Sequence, residues 1–321
     1  MSTGPAIWQM PFRPFFVAAA VFALAAVPVW LLSFLEGWRI GNVSLYWHTH
    51  EMLFGFAATV VVGFVLTAVQ TWTGIETVKG IGLKALVACW CLGRVGWLLP
   101  APLFWIGAAG DVLLFSGAAA VMSKLVVGSK NWRNVFFVPV LLLFALFSAS
   151  FAYALLQEDY AYASAAQNLA FFLLVHIVLV VGGRVIPFFS DRRLGREATV
   201  RFKLLEVSAL ASNLLFLLVL ALTGSGNLLQ VVAAAVALLN FLRWLSWKPW
   251  QTRKIPLLWS LHLAYGFLIL GFAWMAFEGA GSIPVHLIAV GGISFMILAM
   301  ISRVSLGHSG RPMELPGVFV V

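Results

Sequence analysis

The stretch PFFVAAAVFALAAVPVWLLSFL, residues 14–35, decides the fold class. It runs 22 residues without a charge. A helix needs about 20 apolar residues to cross the hydrocarbon of a bilayer. The run is also too long for the apolar region of a cleavable signal, which is about 7–15 residues. It reads as a first membrane span.

Working outward with the same ruler gives ten spans, at roughly 14–35, 49–70, 80–99, 102–124, 134–156, 165–187, 203–223, 228–247, 256–277 and 283–304. Connections are short, and the longest polar one runs from Ser190 to Arg201. No linker or change of composition divides the chain, so one domain over 1–321 is expected. The predicted fold class is all-α: a polytopic membrane helical bundle of about 10 transmembrane helices. Composition agrees. The chain is 62% hydrophobic and 10% charged, with a mean hydropathy of +1.00, whereas a soluble domain is about half apolar and a quarter charged. Lipid is the solvent that accommodates this much apolar surface.

The net charge of +9 would raise nucleic acid as a partner in a soluble protein. Here the basic residues sit between apolar runs, so they report topology and nucleic acid is set aside. Lys130 and Arg133 follow span 4. Arg192, Arg193, Arg196, Arg201 and Lys203 follow span 6, and Lys248, Arg253 and Lys254 follow span 8. The opposite loops carry Arg39 and otherwise Glu36, Glu158, Asp159 and Glu278. The positive-inside rule then places both termini in the cytoplasm. Cys89 and Cys91 lie inside one apolar run and offer neither a CxxC pair nor a CxxCH haem-attachment motif.

Polar side chains inside spans are expensive in lipid, so each is a functional candidate. All six histidines fall in or beside a span, and imidazole is the commonest ligand for copper and haem iron. His48 and His50 open span 2 at the outer face, where His286 opens span 10. His176 lies near the middle of span 6 and His262 in the inner half of span 9. Arg184, Arg303 and His308 lie at the inner face. In the segment Trp47-His48-Thr49-His50-Glu51-Met52, Thr49 is expected to cap span 2. That would leave His48 just outside the helix, where capping geometry could turn it toward the site of His50. Two readings stand level: metal or haem ligation, or interfacial histidines beside Trp47. His176 and His262 read as ligands or as hydrogen-bonded interior histidines. Asp111 is expected to pair with Arg94 or a histidine nitrogen across the bundle, with proton relay as its second role. Internal repetition is faint. His50 with Gly55 and His286 with Gly291 share a spacing that chance can produce in a Gly-rich apolar sequence.

Six strings in order carry a resemblance. They are MPFRPFF (10–16), HTHEMLFGFAATVVVGFVLTAVQTWT (48–73), KNWRN (130–134), GGRVIPF (182–188), LLWSLHLAY (257–265) and RVSLGHSGRP (303–312). Together the chain resembles the NnrS family of bacterial membrane proteins. The resemblance implies a multi-pass protein of the bacterial inner (cytoplasmic) membrane that contains haem and copper and acts in the response to nitric oxide, nitrosative stress or denitrification. His48, His50, Glu51, Arg184, His262, Arg303 and His308 fall on the family's characteristic strings, and His176 and His286 match too. Members usually continue with about two more helices after the GHSGRP-like string, so those two are expected to be missing here.

The expected cofactors are non-covalent haem b and copper. Metal ligands are sought at His48, His50, His286 and His308. Haem is sought at His176 and His262, with Arg94, Arg184 and Arg303 balancing propionates or bound anions. The expected partners are the bilayer, nitric oxide or a related small molecule, and quinol or another electron donor. A secondary transporter is the alternative, since Pro28, Pro139 and Pro187 could break helices around intramembrane Arg and Asp. A metal sensor without turnover is the third reading.

Overall fold

The computed structural model describes residues 5–308, 310 and 311. The last residues of the RVSLGHSGRP string, Ser309 and Pro312, lie outside the described residues, as does the chain end on which the expectation of missing helices rests. Among the described residues the chain is helical, with no strand. Ten long helices match the ten expected spans. They are α1 (Phe12–Leu35), α2 (Leu45–Thr73), α3 (Gly80–Gly96), α4 (Trp105–Gly128), α5 (Phe137–Leu156), α6 (Tyr160–Leu194), α7 (Lys203–Thr223), α8 (Asn227–Ser246), α9 (Pro256–Glu278) and α10 (Ser282–His308). Nine are both long and apolar enough to cross a membrane, and α3, at 17 residues, is the shorter tenth. Helices are what lipid demands, because an apolar chain there must satisfy its own backbone hydrogen bonds. Leu24, Ile81, Leu204 and Phe277 stand more than three-quarters exposed, which is favourable only against acyl chains.

Contacts cluster the chain into two compact units, Met1–Phe171 and Phe172–Val321, with the boundary inside α6. In the first unit α3 and α4 meet through glycine. A Cβ at Gly96 would come within 2.5 Å of Gly107 Cα, and one at Gly110 within 2.8 Å of Gly93 Cα. Small residues at such a crossing let two backbones approach in a membrane bundle. In the second unit Phe172, Phe216 and Phe272 form an aromatic core with centroids 4.8 to 6.0 Å apart.

Helix α2 starts earlier than its sequence suggests. Ser44, not Thr49, is the N-cap, and its hydroxyl accepts from the Trp47 amide at 3.2 Å. Thr49 instead donates back to the Tyr46 carbonyl at 3.1 Å. His48 and His50 therefore both lie within the first α-helical turns, Leu45–His50. Two helical positions apart, their side chains diverge by about 200°, so capping geometry cannot turn them toward one site. A π-helical segment, Glu51–Ala57, then interrupts α2, and a second, Leu287–Ser294, interrupts α10. Each directly follows a histidine, His50 or His286. Each also has a hydroxyl donating five residues back: Thr59 to Phe54 at 2.9 Å and Ser294 to Ala289 at 2.9 Å. The faint sequence repeat thus corresponds to a shared backbone departure, of a kind that recurs at functional sites.

Candidate functional site

The first unit buries a closed polar cluster. The π-helical turn carries Glu51 into the bundle, where Oε2 accepts from Arg94 Nη1 at 2.5 Å. Arg94 Nη2 pairs with Asp111 Oδ1 from α4. Asp111 Oδ2 accepts from Trp97 Nε1 at 2.9 Å and from Ser148 Oγ at 3.1 Å. His50 sits between the two carboxylates. Its Nδ1 lies 3.1 Å from Glu51 Oε1, and its Nε2 lies 3.2 Å from Ser148 Oγ and 3.4 Å from Asp111 Oδ2. His50, Glu51, Asp111 and Ser148 are fully buried, and Arg94 nearly so. Phe54, Trp97 and Phe151 stack or tilt against the imidazole, with centroids 4.0 to 5.2 Å away. Gly55 leaves the space that the Arg94 guanidinium and Glu51 carboxylate occupy.

The expected pairing of Asp111 with Arg94 or a histidine nitrogen is present in both forms. The expected pairing of His48 with His50 is not. His48 stacks on Trp30 of α1, with centroids 3.9 Å apart and planes 20° apart.

The second unit holds further polar groups, three of them around buried Arg243, His262 and His176. Arg243, 1% exposed, donates from Nε and Nη2 to Glu206 Oε2 at 3.0 and 2.6 Å. Its Nη1 donates to the Leu179 carbonyl at 3.0 Å and to Tyr265 Oη at 3.2 Å. Tyr265 in turn donates to Asn240 Oδ1 at 2.7 Å, and Trp247 lies under the guanidinium at 5.3 Å. Gly183 on α6 is the floor of this pocket. Near the end of α6, the Ser190 hydroxyl donates to the Ile186 carbonyl at 2.9 Å and lies 3.1 Å from His262 Nε2. Further back on α6, His176 Nδ1 meets Asn213 Oδ1 at 3.0 Å.

Ser190, which touches His262, follows His176 by 14 positions on the continuous helix α6. At 1.5 Å per residue that is about 21 Å along the axis. The two histidines expected in one deep site therefore serve separate places, because ligands of one iron must converge within a few ångströms.

Among the other predicted residues, Arg303 stacks over Phe189 at 3.9 Å, and the Arg184 carbonyl accepts from Arg201 at 3.4 Å. His286 is exposed, with Nδ1 2.8 Å from the Ser282 carbonyl. His308 ends α10, exposed.

Sequence reasoning missed Ser148, Trp97, Ser190, Asn213, Glu206, Asn240 and Arg243. In the sequence Arg243 stands just before the basic loop that follows span 8, and so reads as one of its topological charges. The available signal was its position inside α8, behind a long run of apolar residues. Serine and asparagine in spans stood out less, since they carry no charge and cost less in lipid than ionisable residues.

A model of the family described as NnrS protein matches residues 6–321. No curated protein and no solved structure matches the chain.

Proposed function

The chain belongs to the NnrS family, as a membrane protein related to the nitric-oxide response, and we propose that it is a haem-binding protein of the bacterial inner membrane acting in that response. The observation that carries this reading is His262. Because Ser190 gives its one proton to the Ile186 carbonyl, its oxygen accepts from His262, so Nε2 carries the hydrogen. The lone pair is then on Nδ1, which is buried and has no hydrogen-bond partner among the described residues. Leaving such an atom unsatisfied costs about 1–3 kcal/mol, and either imidazole nitrogen can ligate iron.

His176 supports the reading in a second way. An amide oxygen can only accept, so Nδ1 donates to Asn213 and Nε2 keeps its lone pair. Fixing one nitrogen with an outer partner is how ligand histidines are oriented. These two residues would hold haem non-covalently, at two heights, with Arg303, stacked over Phe189, as a cation one residue along α6 from Ser190. Bound haem would supply an iron that takes nitric oxide as a ligand. Nitric oxide partitions into lipid, so the protein's part is to hold the imidazoles in a dry interior that needs no aqueous channel.

Copper fits less well. Among the described residues no three of His, Cys, Asp and Glu form a group that could hold a metal ion. Both ring nitrogens of His50 are engaged by Glu51, Ser148 and Asp111. No step is derived through copper.

The test is the visible spectrum and metal content of the full chain, expressed with haem available and purified in detergent. A Soret band is expected, and His262→Ala should lower haem retention at least tenfold in a protein that still elutes as one monodisperse peak. A colourless protein that moves solute in vesicles would refute the reading and favour a transporter.

A further inference from the structure

The cluster in the first unit has one proton too few if each group takes its ordinary form. Glu51 and Asp111 would carry two negative charges, Arg94 one positive, and a neutral His50 none. The cluster would then hold one net negative charge among residues that are 0 to 6% exposed, and an uncompensated charge in a dry interior is strongly disfavoured.

Hydrogen-bond accounting reaches the same result independently. Ser148 spends its proton on Asp111 Oδ2. His50 Nε2, 3.2 Å from that hydroxyl oxygen and 3.4 Å from Asp111 Oδ2, faces acceptors on both sides and must carry a hydrogen. His50 Nδ1 faces only Glu51 Oε1, at 3.1 Å. An ionised carboxylate is acceptor-only, so a hydrogen is needed on this line too. A neutral imidazole has one hydrogen, already used at Nε2.

We propose that this cluster is a proton-binding site: it holds one additional proton on the line between Glu51 Oε1 and His50 Nδ1. With the proton on His50, an imidazolium lies between two carboxylates. With the proton on Glu51, a neutral acid donates to a neutral imidazole. Either arrangement brings the cluster to zero net charge and satisfies every contact named. The charged and polar groups facing this line are Arg94 from α3, Asp111 from α4 and Ser148 from α5, with Trp97 after α3. Loss of the proton strands one negative charge, so the site releases it only when a cation replaces it or the cluster opens. The site is independent of the haem reading, which concerns the second unit.

The experiment uses the full chain in lipid bilayers, with ¹⁵N-histidine solid-state NMR for the imidazole and infrared spectroscopy in H₂O and D₂O for the carboxyl groups. One of two signatures is expected in the unsubstituted protein: a His50 imidazolium with both nitrogens protonated, or a protonated carboxyl stretch that shifts in D₂O. His50→Gln assigns the imidazole signal. Glu51→Gln and Asp111→Asn each remove one negative charge at nearly constant shape, so in either variant that signature should be lost. A neutral His50 with no D₂O-sensitive carboxyl stretch in the unsubstituted protein overturns the proposal, whether or not the variants fold. So does a signature that persists in both variants.

Discussion

Gly183→Ala tests the pocket that holds Arg243. A Cβ at this position would stand 2.7 Å from Arg243 Nη1 and closer still to Cζ and Nη2, whereas real Cβ atoms essentially never come within 3.0 Å of another atom. The far end of a side chain can usually move aside. This one cannot, because Glu206, the Leu179 carbonyl and Tyr265 hold it from three directions. Expelling the guanidinium leaves Glu206, only 19% exposed, without its partner, and breaking a buried pair costs about 3–5 kcal/mol. For a cooperative unit of this size that corresponds to a fall of roughly 6–20 °C in melting temperature. Gly266→Ala is the internal control. Nothing lies within 4 Å of a Cβ there, and the residue is inside α9, so alanine should be neutral or gain up to about 1 kcal/mol. Both variants can be melted in detergent, following tryptophan fluorescence. If Gly183→Ala melts within 2 °C of the parent, by the same scale a change of about 1 kcal/mol or less, Arg243 is not locked in this pocket and the reasoning fails.

Arg94→Ala should destabilise by about 3–5 kcal/mol, because it leaves the Glu51–Asp111 cluster one positive charge short; denaturant unfolding of the purified protein measures it. Arg94→Lys should recover only part of that loss, since an ammonium cannot bridge two carboxylates as a guanidinium fork does. Ser44→Ala should cost about 1 kcal/mol as the loss of an N-cap, while Thr49→Ala should change the melting temperature little; equal effects would contradict the assigned start of α2. Gly96→Leu should prevent α3 from packing on α4, seen as loss of a monodisperse peak in size-exclusion chromatography.

The long helices were legible from residue types alone. An apolar run of the right length has one way to satisfy its backbone in lipid, so runs such as 14–35 and 203–223 yielded helices of nearly those bounds. The start of α2 was misread because Ser44 lies before a polar-looking turn, Leu45–His50, that gives no apolar signal of its own. The π-helical turns were invisible for a related reason. They change which face a residue occupies without changing composition, and only the recurrence of His with Gly five residues later hinted at them.

The candidate residues were half legible. That His50, Arg94, Asp111 and His262 are candidates followed from the cost of polarity in lipid, and Asp111 was rightly expected beside Arg94. What each one does was decided by partners far away in sequence. Arg94 meets Glu51 43 positions away, and His50 meets Ser148 98 positions away. Arg243 fits only because Gly183, on another helix, lacks a side chain. Sequence determines the helices because each backbone is satisfied within its own segment. Tertiary structure alone determines the sites, because buried charges and protons are balanced only between segments that the fold brings together.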